Sequence, residues 1–228
     1  MAILFFYRKK LSFLSSHVEF EIESFSFLYF SSHSYGVTNR VRAIADTIAS
    51  EGYVVLVVDC YYGDTVVKTP DMVEFLSKFS YDKISKEIGA AIDFLVSKSV
   101  DKESIAALGF CWGGWAIAKS ASEGVCWKCA VSPHPATKVE GFIWKNDEKA
   151  MFENCPMPFL LLPAADDPDI LKPGSSVVDL LEEKGGKSVP FPRMKHGWVS
   201  RGDLSKDEVK EDAEKALQLA TDFIKANN

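Results

Sequence analysis

The sequence predicts an α/β protein with a mostly parallel central sheet flanked by helices. From about residue 38, short apolar runs alternate with segments of helical periodicity, a pattern typical of βαβ units. The clearest run covers residues 53–59, whose continuous β-branched residues indicate a strand covered on both faces, as strands of parallel sheets are. The chain has 228 residues and no linker or composition break, so we expect one core.

The other elements each follow from a local pattern. Apolar residues at helix spacing predict a helix near residues 41–48, ended by Gly52, and a second helix near residues 84–96. Further apolar runs predict strands at 105–108, 129–132, 158–162 and 188–191. Helices are expected over about 115–120, 177–184 and 206–226.

The first 32 residues differ from the rest in composition. They hold seven of the sixteen phenylalanines, and the alternation of Phe20, Ile22, Phe25 and Phe27 indicates strands. Whether these strands join the sheet stays open at this point. We interpret residues 1–32 as a divergent N-terminal segment that supplies the first strands of the same domain, which residues 33–228 otherwise form.

The net charge and the number of cysteines narrow the range of possible functions. The net charge of −6, without a basic stripe, disfavours nucleic acid and an anionic membrane surface as partners. No stretch reaches the roughly 18 apolar residues of a membrane-spanning helix. Five cysteines form an odd set without the density of a disulfide scaffold, and the opening basic run follows its apolar stretch, the reverse of a signal peptide. We therefore expect a cytoplasmic protein, a monomer or homodimer, that acts on a small molecule.

One motif carries a specific chemistry. Residues 109–114 read Gly-Phe-Cys-Trp-Gly-Gly, between a predicted strand and a predicted helix. Such a tight turn, flanked by glycines, exposes its central side chain at the carboxyl edge of the sheet. Cys111 is thus a candidate nucleophile, and the backbone N–H of Trp112 is a candidate oxyanion donor. The alternative is a strand-to-helix turn that merely contains a cysteine.

A thiol nucleophile needs a base and a carboxylate that orients the base. In proteins built on this turn, the three follow in the order nucleophile, acid, histidine. Asp166 and Asp167 follow one apolar run and His196 follows the next, so the order and the strand-end positions agree. Of the four histidines, His196 alone occupies the expected late loop.

At these residues the chain resembles the dienelactone hydrolase family. The resemblance covers about residues 33–226, and its landmarks are the segments 39–64, 109–114, 132–135, 164–169 and 195–203. It implies an α/β-hydrolase fold and the hydrolysis of an ester or lactone without a cofactor or metal. It also implies a catalytic triad of Cys111, Asp167 and His196, with Asp166 as the alternative acid.

The resemblance implies further site residues. Arg201 looks like the family's arginine that meets a substrate carboxylate, and we expect His134, Trp198 and Tyr35 to contribute to substrate binding. The Ser34 N–H is expected to complete the oxyanion hole with Trp112. One departure concerns His33, which stands where bacterial members carry a glutamate that activates the thiol.

Two other functions stay open on the sequence. A non-catalytic binding protein of the same fold predicts that Cys111 and His196 lie well apart. A glycan-active enzyme requires two carboxylates across a sugar-sized cleft, for which Asp59 and Asp167 are the candidates. Cys126 and Cys129 have C-x-x-C spacing, but no second pair or nearby histidine completes a zinc site, so no metal is expected.

Overall fold

The chain forms one mixed sheet with helices on both faces. The structure is a computed structural model that describes residues 3–7, 26–30, 35–69 and 71–227, the first two ranges by their backbone alone. The expectations for Phe20, Ile22, Phe25, His33 and Ser34 therefore lie outside the described residues.

The sheet has seven strands in its described part. They are Ile3–Tyr7 (β1), Ser26–Phe30 (β2), Val54–Asp59 (β3), Ile105–Gly109 (β4), Ala130–Pro133 (β5), Phe159–Leu162 (β6) and Lys187–Ser188 (β7). Their order is β1-β3-β2-β4-β5-β6-β7, with β1 antiparallel to β3 and every other pair parallel. The mostly parallel sheet predicted from the sequence is confirmed, and both early strands pair with β3.

Nine α-helices accompany the sheet in the described residues. They are Asn39–Ser50 (α1), Met72–Ser77 (α2), Tyr81–Val96 (α3), Trp112–Ser122 (α4), Val139–Phe142 (α5), Glu148–Glu153 (α6), Ser176–Glu183 (α7), Trp198–Arg201 (α8) and Asp207–Ala226 (α9). The α4 helix begins at Trp112, three residues before the predicted start, because the turn itself supplies its first residues. The predicted strand at 188–191 shortens to β7 and a single bridge between Ala164 and Phe191.

The core consists of two apolar clusters, one on each side of the sheet. On β3, Leu56 belongs to one cluster and its neighbours Val55 and Val57 to the other, and all three are fully buried. This alternation explains why the strand is apolar at consecutive positions, as the sequence predicted. No helix among the described residues has both the length and the apolar character needed to cross a membrane.

The candidate catalytic residues follow the carboxyl ends of parallel strands. Cys111 follows β4, Asp167 follows β6, and His196 lies in the loop beyond β7. Open α/β sheets place their sites at this edge.

Candidate active site

The turn that carries Cys111 has a strained backbone. Cys111 adopts φ 54° and ψ −119°, a conformation that non-glycine residues rarely occupy. A Cβ on Gly109 would lie 2.5 Å from the backbone of Gly113, and a Cβ on Gly114 would collide with the Ser132 side chain. Ser132 in turn donates from Oγ to the carbonyl of Gly109 at 2.6 Å. The glycines are therefore required by the close approach of α4 to β4 and β5.

The same turn offers an oxyanion donor. Trp112 is the first residue of α4, and within the described chain its backbone N–H has no hydrogen-bond acceptor. The partial positive charge of the helix N-terminus adds to this N–H. The Trp112 ring is only 1% exposed and packs against Tyr61 and Trp115. The backbone N–H of Trp112, rather than its ring, is thus the candidate contact for the reacting oxygen.

Two adjacent carboxylates hold His196 in different ways. Asp167 is buried, its Oδ1 lies 2.6 Å from His196 Nδ1, and its Oδ2 accepts from the Ala164 backbone N–H at 2.7 Å. Asp166 is exposed and accepts from the His196 backbone N–H at 2.7 Å. Asp167 therefore contacts the imidazole, and Asp166 contacts the main chain beside it.

The candidate nucleophile also influences His196. Burial alone lowers the pKa of His196, but hydrogen bonds from its ring to Asp167 and Cys111, together with their negative charges, raise that pKa to about 10. The non-catalytic alternative requires Cys111 and His196 to lie well apart, whereas the thiol is close enough to affect the pKa of the imidazole. The bond from His196 Nδ1 to Asp167 Oδ1 links the histidine to the buried carboxylate.

The structure corrects the expectation for His134. This ring has no exposed surface, so it offers nothing for a substrate to contact. It stacks on Phe110 at 5.6 Å and meets His196 edge-on at 5.1 Å between ring centroids. Its Nε2 lies 3.4 Å from the Ser200 hydroxyl. His134 therefore packs behind the candidate base.

Trp198 is also packed rather than open. It is 3% exposed and lies against His134 and Phe191. Its ring fills the core beneath the loop of His196, while the residue also lines the cleft beside that histidine, so its part in substrate binding stays a prediction.

Arg201 is exposed at the mouth of the site. Its Nη2 donates to the His196 carbonyl at 3.2 Å, and its guanidinium carbon lies 5.5 Å from the centroid of the exposed Tyr35 ring. A guanidinium has five N–H donors, so donors remain for a carboxylate. The position of Ser34, the second expected oxyanion donor, lies outside the described residues.

The remaining candidates have structural contacts. Asp59 is buried, and its two oxygens accept from the backbone N–H groups of Tyr61 and Gly63. A general acid or base for glycans would need a carboxylate free to reach the sugar. Cys126 is exposed, while Cys129 is buried, which raises the pKa of the Cys129 thiol to about 12.

Sequence reasoning identified Arg201 but missed the other charged residues beside the histidine. A cleft beside His196 is lined by Arg193, Lys195, Arg201 and Lys206. Arg193, Lys195 and Arg201 lie within five residues of His196 in the sequence, so the clustering of cations around this histidine is visible in the sequence itself.

The strand order, the turn at Cys111 and the histidine loop define an α/β-hydrolase. The model of the dienelactone hydrolase family matches residues 31–227 of the chain. The chain therefore belongs to the dienelactone hydrolase family, and its class of reaction is the hydrolysis of an ester bond. The family expected from the sequence is confirmed. No curated relative matches the chain.

Solved structures agree with this fold. A Klebsiella pneumoniae structure described as a dienelactone hydrolase is 15% identical, with a TM-score of 0.70, and the match covers 98% of this chain and 92% of that one. A dienelactone hydrolase-like promiscuous phosphotriesterase from metagenomic libraries is 15% identical, with a TM-score of 0.67 over 90% and 86%. An esterase from Thermogutta terrifontis is 14% identical, with a TM-score of 0.62 over 97% and 86%. At these identities the likeness is one of fold.

Proposed function

We propose that the protein hydrolyses a small ester or lactone through a thioester formed on Cys111. The observation that carries the proposal is the placement of Cys111 near His196, whose Nδ1 lies 2.6 Å from Oδ1 of the buried Asp167. It joins a nucleophile, a base and the carboxylate that orients the base, which is the arrangement that acyl transfer requires.

The reaction has two steps. In the first, His196 takes the thiol proton, the Cys111 sulfur bonds to the substrate carbonyl carbon, and the carbon–oxygen bond to the leaving group breaks. The leaving oxygen receives the proton from His196. In the second, His196 takes a proton from water, the water oxygen attacks the thioester, and the acid leaves as Cys111 recovers its proton. Cys111 and His196 are the protein groups that form bonds or exchange protons in these steps.

Oxygen of the tetrahedral intermediate carries the developing negative charge. The Trp112 N–H, at the start of α4, is the donor that we assign to it. We propose the Ser34 N–H as the second donor. Asp167 keeps the imidazole in the tautomer whose other nitrogen faces Cys111, and it stabilises the imidazolium.

Activated esters suit this site. A thiolate attacks enol-lactones and aryl esters more readily than amides, because an enolate or a phenolate departs more easily than an amine. Arg201 is placed at the mouth of the site, where its remaining N–H donors favour a substrate with a carboxylate. We further propose a cytoplasmic location, on the basis of five cysteines without a disulfide, and a monomer or homodimer.

The test is the hydrolysis of p-nitrophenyl acetate by variants of two thiols. Cys111→Ala should reduce kcat by on the order of 10⁴. Cys126→Ala removes an exposed thiol distant in sequence from the turn and should leave the rate unchanged. Mass spectrometry of the quenched wild type should find one acetyl group on the peptide that contains Cys111. If Cys111→Ala retains the wild-type rate, the nucleophile has been assigned wrongly.

The substrate class is tested separately. A screen of enol-lactones, small neutral esters and β-glucans should give turnover of the first two alone. Turnover of β-glucans that survives in Cys111→Ala would favour the glycan-active alternative.

A further inference from the structure

One short segment at the end of β5 touches both the candidate nucleophile and the candidate base. The Ala136 backbone N–H donates to the Cys111 carbonyl at 2.9 Å, and Pro135 forms a parallel bridge with Cys111. In the same segment, the His134 ring meets the His196 ring edge-on, with 5.1 Å between centroids. The segment therefore links the two groups whose separation decides whether a proton can pass between them.

The backbone of His134 is strained. It adopts φ 42°, in the left-handed region that residues other than glycine rarely occupy. Pro135 follows it, and the residue before a proline ordinarily has an extended backbone. The His134 N–H donates to the Leu162 carbonyl on β6 at 2.8 Å. Strain of this kind persists where the surrounding structure imposes it, and it is concentrated at functional sites.

The His134 ring is wedged between the two catalytic segments. It stacks on Phe110, the residue before Cys111, with 5.6 Å between centroids and 26° between ring planes. It also lies 5.2 Å from the ring of Trp198, two residues beyond His196, and it has no exposed surface. Because protein interiors are close-packed, a buried ring in this place sets the distance between the Cys111 turn and the loop of His196.

This packing complements the hydrogen bond to Asp167. That carboxylate holds the His196 ring at one atom, Nδ1, at 2.6 Å. A ring held at one atom can still pivot about that atom, which would turn the opposite nitrogen away from Cys111. Contact with the His134 ring limits the pivot. The gain is large, because a misplacement of about 1 Å can cost a reaction about 100-fold in rate.

We propose that His134 is a positioning residue, which holds His196 at the distance and angle that proton transfer with Cys111 requires. The inference rests on the proposed function and deepens it. His134 is fully buried, so it acts through His196 and not on the substrate. Its loss should therefore lower activity and also disturb the hydrogen bond between His196 and Asp167.

Two variants of His134 test the role of the ring. His134→Ala removes the ring, and kcat/KM for p-nitrophenyl acetate should fall by about 30-fold. His134→Phe keeps an aromatic ring without the imidazole nitrogens, so it should recover kcat/KM to within about threefold of wild type.

Phe191 provides the matched control. Its ring is also buried and packs on Trp198, with 5.0 Å between centroids, and in the described part of the chain Trp198 rather than His196 is its aromatic neighbour. Phe191→Ala therefore removes a comparable ring beneath the same loop. It should lower the urea midpoint of unfolding at least as much as His134→Ala, yet keep kcat/KM within about threefold of wild type.

A second readout follows the hydrogen bond itself. The proton in the 2.6 Å bond between His196 Nδ1 and Asp167 Oδ1 should give a far-downfield proton NMR resonance in the wild type. His134→Ala should shift or broaden this resonance, because the imidazole gains freedom to pivot. Phe191→Ala and His134→Phe should leave it in place.

Several outcomes would overturn the inference. They are wild-type kcat/KM in His134→Ala, an equal loss of kcat/KM in Phe191→Ala, and a His134→Phe variant no faster than His134→Ala. Loss of activity in His134→Ala with an unshifted resonance would mean general damage to the fold and would overturn it too. The proposed function is judged separately, by the loss of activity in Cys111→Ala.

Discussion

The turn that carries Cys111 and the loop that carries His196 are held in place by different forces. The Cys111 turn, residues 109–114, is held by close packing, because neighbouring atoms leave no room for a Cβ on Gly109 or Gly114. Its backbone is pressed between β4, β5 and α4. Steric exclusion of this kind fixes the turn, and one side-chain hydrogen bond, from Ser132 to the Gly109 carbonyl, adds to it.

The histidine loop, residues 193–198, is held by hydrogen bonds and ring packing. Asp166 accepts from the His196 backbone N–H, Asp167 meets its ring, and Arg201 donates to its carbonyl. His134 packs against the ring from behind. Substitutions in the turn should therefore disturb folding, and substitutions around the loop should disturb chemistry.

The two neighbouring aspartates give the largest effect expected within the histidine loop. Asp167→Asn removes the charge that stabilises the imidazolium and permits the wrong tautomer, so kcat should fall by on the order of 10³. Asp166→Asn keeps an acceptor for the His196 backbone N–H, so kcat should fall by less than about tenfold. Steady-state kinetics on p-nitrophenyl acetate, with circular dichroism to verify the fold, distinguishes the two. Equal losses would mean that Asp166 acts on the ring in solution.

Gly114→Ala tests the turn. Its Cβ would collide with the Ser132 side chain, so the free energy of unfolding should fall by about 2 to 3 kcal/mol. Gly89 provides the matched control, since it lies within α3 and a Cβ there meets nothing within 4 Å. Gly89→Ala should raise stability by about 0.5 to 1 kcal/mol through helix propensity. Urea unfolding of both variants measures the difference in the free energy of unfolding. An unchanged free energy of unfolding in Gly114→Ala would show that α4 can move away from β5.

This contrast explains which parts the sequence could predict. Steric constraints leave a local signature, so the glycines around Cys111 and the β-branched run of β3 were recognisable. Short elements leave no recognisable pattern in the sequence. The α5, α6 and α8 helices have 4, 6 and 4 residues, too few for a periodic pattern, and they were not predicted.

The loop was harder to predict because its contacts come from distant segments. Asp166 and Asp167 are adjacent and chemically alike, and only the tertiary fold turns one onto the ring and the other onto the backbone. The same limit applies to His134, expected to meet substrate but packed behind His196. Periodicity identifies a strand end, whereas it does not say which way the residue beyond that end points.

The charge on His196 should make stability depend on pH. Its pKa is raised from 6.5 to about 10 in the folded protein. The folded state then binds the proton more tightly than the unfolded chain, so the stabilisation is complete below pH 6.5 and disappears as the pH rises toward 10. The free energy of unfolding should fall across this window by about 1 to 2 kcal/mol more in wild type than in His196→Gln. Urea titrations at several pH values test this, and parallel curves would exclude a charged His196.

Ser200→Ala should have the smallest effect. It tests whether ring packing or a hydrogen bond from Ser200 holds His134 in place behind the loop. The Ser200 hydroxyl lies 3.4 Å from His134 Nε2, near the limit of a hydrogen bond, whereas the His134 ring packs closely on Phe110 and His196. If ring packing fixes His134, the variant should lose less than about 0.5 kcal/mol of stability and less than about threefold in kcat, with an unchanged pH profile. A tenfold loss in kcat with a shifted profile and a normal KM would mean that the hydroxyl orients His134 and, through it, His196. The histidine loop would then rely on polar contacts through a second layer of residues, and its contrast with the sterically fixed turn would be sharper still.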